Sequence, residues 1–66
     1  MRYRIEIWQY HNISDIYESN DIRDIKNWYE RKWQRSLCGG NCTFYVYEHD
    51  RRISFDVLYD LGFYKN

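Results

Sequence analysis

Along residues 2–10 apolar and polar side chains alternate, with Tyr3, Ile5 and Ile7 on one face and Arg2, Arg4, Glu6, Trp8 and Tyr10 on the other. A period of two predicts a half-buried strand, because successive side chains of extended backbone point to opposite sides. His11 and Asn12 interrupt the alternation. The stretch 13–18 then reads either as a short second strand folding back in a hairpin or as a single helical turn.

From Ser19 the period lengthens. Ile22, Ile25, Tyr29, Trp33 and Leu37 recur at three- and four-residue intervals, which lines them along one stripe of a helix. Ser19, Asn20 or Asp21 can cap its first turn, and Asp24 sits where the helix dipole favours an anion. Arg31, Lys32 and Arg35 sit near the end that favours cations. The spacing predicts a helix over about 21–37, stopped by Gly39 and Gly40, which enter the left-handed conformation at little steric cost.

Residues 43–49 and 52–59 alternate again, with Asp50 and Arg51 as the expected two-residue loop. In that register Val46 faces Phe55 and Phe44 faces Val57, all four on the core side. A slip of one residue would turn core positions to solvent. Leu61 or Phe63 is expected to close the core after a turn at Gly62. These elements predict an α+β fold of β(β)αββ order: a small two-layer sandwich whose single antiparallel or mixed sheet, of three or four strands, packs against one helix. No repeat, low-complexity segment or linker divides the chain, so residues 1–66 are expected to form one domain.

Length and composition narrow the function. A chain of 66 residues buries only about 60% of the surface its unfolded form exposes. Nearly all of its apolar residues go into one core, which leaves little to wall a catalytic cleft and argues against an enzyme. Hydrophobic residues at 44% and aromatics at 21% exclude a disordered segment. Apolar runs fall far short of the roughly 20 residues that span a membrane, and MRYRIEIW lacks the apolar stretch of a signal peptide. The expectation is a cytoplasmic protein with no membrane partner.

Seven Arg and three Lys balance six Asp and four Glu, so no global field draws the chain to nucleic acid. Ala and Pro are absent beside seven Ile, eight Tyr and five Asn, a usage that goes with AT-rich coding and with small phage and mobile-element genes.

The face that the core does not use carries the candidate chemistry. In the predicted sheet it shows Arg4, Glu6, Trp8 and Tyr10 from the first strand and Tyr45, Tyr47, His49, Arg52, Ser54 and Asp56 from the hairpin. Cross-strand aromatic pairs alone would explain some of these rings, at about 0.2–1 kcal/mol each. Tyr, Trp and Arg are also the residues enriched at protein–protein hot spots, since they bury large areas and keep a polar tip. The same rings would stack unpaired bases, at about 1–3 kcal/mol per base. Glu6, Glu48, Asp50 and Asp56 lie on or beside the sheet and would repel phosphates, so a protein partner is expected ahead of nucleic acid. The candidate binding residues are Arg4, Trp8, Tyr10, Tyr45, Tyr47 and Arg52, joined by Trp28 at the border of the helical stripe, a position that equally suits, and is first expected to serve, an extension of the core around the helix.

Cys38 and Cys42 frame a CGGNC loop. Without a secretory signal, two reduced thiols are the expected state. A zinc site would need two further ligands, and His11 and His49 are the only histidines, without the paired spacing of a zinc finger. No cofactor is called for. His49 beside Asp50, or Cys38 with His11, lacks the structured pocket that a catalytic dyad needs. Gly39–Gly40 follows a helix rather than opening one, so it is not a phosphate loop. The sequence thus points to a small non-enzymatic module that binds another protein, of the inhibitor or regulator type that phage and mobile elements direct at host proteins. The alternative is a module that binds single-stranded RNA or DNA on the aromatic face. An exposed strand edge leaves a homodimer open.

Overall fold

The computed structural model describes residues 1–34 and 42–64. The chain runs β1 (Tyr3–Gln9), β2 (Asn12–Ser19), α1 (Ile22–Lys32), β3 (Cys42–Glu48), β4 (Arg51–Arg52) and α2 (Phe55–Asp60). The strands form one antiparallel sheet in the order β2-β1-β3-β4, and both helices cover the same face of it. The expected α+β sandwich is therefore the observed fold, with a second helix that the alternation of residues 52–59 did not announce.

Residues 13–18 are strand. The register jumps from Ile7 opposite Asp15 to Trp8 opposite Ile13, so Ser14 is an extra, bulged residue. The bulge explains why the stretch reads ambiguously: Ile13 and Ile16 are three residues apart, a helical interval, yet the extra residue returns both to one face of the sheet. Tyr10 and His11 make the β1–β2 turn with φ of 51° and 70°. Two successive positive φ values give a turn whose twist matches that of the strands it joins.

The second hairpin corrects the predicted register. Its turn is His49–Asp50, with φ of 50° and 64°, rather than Asp50–Arg51, and Tyr47 pairs with Arg52 and Glu48 with Arg51. After Ile53 donates to the Val46 carbonyl at 2.8 Å, the chain leaves the sheet, and Phe55–Asp60 is helical. The expected pairs Val46–Phe55 and Phe44–Val57 do not form; Phe55 is 60% and Val57 47% exposed. The reason is coverage. Because α1 packs chiefly on the β1–β2 half of the sheet and reaches β3 through Tyr29 on Phe44, a flat strand over 52–59 would leave the rest of the β3 core face open to water. The turn into α2 instead brings Leu58 over that face, and Gly62, at φ 89°, folds Phe63 in behind it. Of the two residues expected to close the core, Phe63 is 1% exposed while Leu61 stays on the surface.

Of the three candidate caps Asp21 is the one that starts α1: its carboxylate accepts from the Arg23 N–H at 2.9 Å. It ends five residues before the expected boundary at 37. The N–H groups of Trp33 and Gln34 both donate to the Tyr29 carbonyl, at 2.8 and 2.9 Å, which ends the helical ladder. The Trp33 indole then donates to Asp15 at 3.0 Å, tying the helix end to β2. Arg35, Leu37, Gly39 and Gly40 lie outside the described residues.

The core joins Ile5, Ile7, Phe44 and Val46 of the sheet to Ile25, Tyr29, Leu58 and Phe63 above it. Tyr29 lies at its centre, 4.5 Å from the Phe44 ring and 6.0 Å from Phe63. Burial pushes the pKa of its hydroxyl up to about 12.

Candidate functional site

Residues paired across an antiparallel sheet share a face, so the register defines the uncovered one. One row runs Glu18, Arg4, Tyr47, Arg52; the next runs Ile16, Glu6, Tyr45; the third runs Ile13, Trp8, Thr43. Among the predicted binding residues, Arg4, Trp8, Tyr45, Tyr47 and Arg52 are therefore gathered on one surface. Tyr10 is not on the strand face: it sits in the β1–β2 turn, where it borders a depression with Trp8. Trp28 is on the other side of the sheet, stacked on Tyr17 with ring centres 5.0 Å apart and planes 6° from parallel. It belongs to the packing of α1 on β2 and not to this surface. Ser54 and Asp56 leave the face because the strand ends at Arg52.

The face is internally wired. Glu6, whose side chain is 12% exposed, accepts from Arg4 Nε at 3.1 Å and from Trp8 Nε1 at 3.1 Å. Arg4 also reaches Asp50 at 3.0 Å and lies over the Tyr47 ring at 4.5 Å. The Asp50 bond is the main reason its guanidinium holds its proton more tightly than usual. Burial, then the Glu6 charge, raises the pKa of Tyr47. Arg2 engages Glu48 at 2.7 Å. The acids expected to repel phosphate are thus mostly held by neighbouring arginines. Arg52 lies over Tyr45 at 5.0 Å and forms no ion pair among the described residues. Trp8 meets Tyr45 edge-on, with ring centres 6.3 Å apart.

A depression of about 610 Å3 opens beside this network, lined by Trp8, Tyr10, His11, Cys42, Thr43, Tyr45 and Arg52. Cys42 is half-buried, its sulfur 3.4 Å from the Gln9 amide nitrogen. Cys38 lies outside the described residues. His11 and His49 occupy the turns at opposite ends of the sheet, so the four-ligand set of Cys38, Cys42, His11 and His49 cannot close on one metal ion. Among the described residues no group of three or more His, Cys, Asp or Glu side chains is placed to hold a metal. None of the helices described is long and apolar enough to cross a membrane.

Two sets of exposed apolar residues were not singled out from the sequence. Ile13 and Ile16, 44% and 48% exposed, flank Trp8 and Glu6 on the uncovered face. Phe55, Tyr59 and Tyr64 form a ring cluster on α2 and the segment after it, with Phe55 to Tyr64 at 4.6 Å and Phe55 to Tyr59 at 6.2 Å. A three-residue isoleucine interval directly after a strand is the signal that would have exposed the bulge and hence the first set. The second set carries no local signal, because F-D-V-L-Y alternates as a strand does.

Comparison with protein-family models, with curated proteins and with solved structures finds no match to this chain. Fold and surface by themselves define a small antiparallel α+β module whose sheet is covered on one side.

Proposed function

We propose that this protein is a small non-enzymatic module that binds another protein through the uncovered face of its sheet, acting in the cytoplasm as an inhibitor or regulator of the kind phage and mobile elements direct at host proteins. The observation that carries the reading is the pair Ile13 and Ile16 exposed beside Trp8 and Tyr45. Aliphatic surface gains about 25 cal/mol per Å2 when buried against other apolar surface, and offers a nucleic-acid base nothing to stack on. The rings of Tyr45 and Tyr47 are already overlaid by Arg52 and Arg4, which favours arginine-and-tyrosine contacts to a protein over open stacking platforms.

Tagged wild-type protein, Trp8→Ala and Tyr47→Ala, each checked for an unchanged circular dichroism spectrum, test the reading by capture from host lysate with nuclease and high-salt washes. A stoichiometric protein that survives both treatments and binds either variant more weakly by over about 1 kcal/mol supports it. Material lost to nuclease or salt moves the surface to single-stranded RNA or DNA. Equal capture by all three forms places the contact elsewhere.

A further inference from the structure

We infer that the outer edge of β3, beyond the short β4, is a groove that takes an extended segment of the protein partner as an added strand. The inference rests on the protein-binding reading and specifies how the partner is held.

The backbone geometry comes first. On one side of β3 the His49 N–H donates to the Arg2 carbonyl next to β1; on the other the Val46 carbonyl accepts from Ile53 next to β4. Backbone groups in a strand alternate in direction, so the odd-numbered residues of β3 turn to β1 and the even-numbered ones turn outward. Glu48 and Val46 meet Arg51 and Ile53. Phe44 comes next, and among the described residues no strand lies beside it, because β4 is two residues long and the chain has already turned into α2. Among the described residues its outward N–H and C=O form an unfilled rung of the ladder, the feature that recruits another strand.

The side chains beside that rung are unusual for an unprotected edge. A groove of about 330 Å3 follows it, with Phe55 and Tyr64 on the helix side and Tyr45 and Arg52 on the uncovered side. Tyr64 lies 5.3 Å from the Phe44 ring and 4.6 Å from Phe55. Successive side chains of an added strand point alternately to these two walls. One set enters the aromatic wall. The other reaches Arg52, which has a tyrosine beneath it and no carboxylate partner among the described residues. The matching segment alternates apolar residues with acidic ones.

The opposite edge of the sheet is built differently. Strand β2 carries the Ser14 bulge and the acids Asp15 and Glu18 along its length, two devices that keep edges from pairing. The groove on β3 has no bulge and no acidic residue in its lining, and it adjoins the uncovered face at Tyr45 and Arg52, so one partner can occupy both.

The test uses a short capped peptide that alternates valine and phenylalanine with glutamate, titrated into the full chain and followed by amide NMR. Saturable shifts and slowed hydrogen exchange centred on the Phe44 amide are expected. N-methylating the peptide's central residue, which removes one rung, should weaken binding up to about tenfold. Phe55→Ala should weaken it as well, while Arg23→Ala, at an exposed position of α1, leaves it unchanged. No saturable shift, shifts confined to Asn12–Ser19, or equal binding by the N-methylated peptide each overturn the inference. The two readings fail separately. Lysate capture that depends on Trp8 and Tyr47, with no peptide bound at Phe44, removes only the edge groove. Peptide bound at Phe44, with capture indifferent to Trp8 and Tyr47, removes only the sheet-face interface.

Discussion

Alternate residues of β1 and β3 serve the two faces of one sheet, and the faces are held by different physics. Ile5, Ile7, Phe44 and Val46 are buried under the helices, where each large side chain contributes roughly 1.5–3 kcal/mol by leaving water. Between them Arg4, Glu6, Trp8, Tyr45 and Tyr47 stand half-buried on the other side, linked by ion pairs and by arginine–ring contacts. Exposed ion pairs contribute about 0–1 kcal/mol and such ring contacts about 0.5–1. Stability therefore resides on one face and chemistry on the other, so a chain this small can vary the second without dismantling the first.

The largest expected effect lies on the covered face. Ile7→Ala should cost about 2–5 kcal/mol, a large part of the roughly 3–10 kcal/mol available to a domain of this size. Urea unfolding checks it, and a loss below about 1 kcal/mol would break the contrast between the faces.

Alkaline titration probes the same core from another side. Burial holds Tyr29 protonated with its pKa raised from 10.0 to about 12, so its contribution is whole below pH 10 and is lost as pH rises from there through 12. Melting temperature should fall over that interval, and Tyr29→Phe should flatten the fall.

At the start of α1, Asp21→Ala removes the cap and should cost about 1 kcal/mol. The backbone N–H of Arg23 holds the Asp21 carboxyl below its usual range, so the wild type should lose this contribution as pH drops below about 4 and the variant should not. The smallest change is expected on the uncovered face. Arg4→Ala should alter stability by no more than about 1 kcal/mol, because Asp50 is already exposed and Glu6 keeps its hydrogen bond from Trp8. A larger loss would show that the face has a share in folding.

How much was legible in the chain follows the range of each signal. The Ile22, Ile25 and Tyr29 part of the α1 stripe and the alternation of β1 and β3 are local, and each appears where its spacing puts it; of the three cap candidates, Asp21 is the one that bonds. Arg4, Trp8, Tyr45, Tyr47 and Arg52 share a surface because strand parity alone places them there. Tyr10 is one position too far along, in the turn. Trp28, at the border of its stripe, suits either a surface or an extension of the core, and its stacking on Tyr17 makes it the second. The Ser14 bulge breaks the period on which the reading of β2 depended.

What the sequence by itself determined is the α+β class, the core faces of β1, β3 and α1, and the chemical character of the uncovered sheet, since each is set by periods of two or 3.6 within a dozen residues. The tertiary structure alone decided that 55–60 is helix, that Leu58 and Phe63 enter the core in place of Phe55 and Val57, and that β4 pairs with β3 only at Arg51–Arg52. Those choices depend on which half of the sheet α1 leaves uncovered, a long-range question of area that no window of neighbouring residues contains.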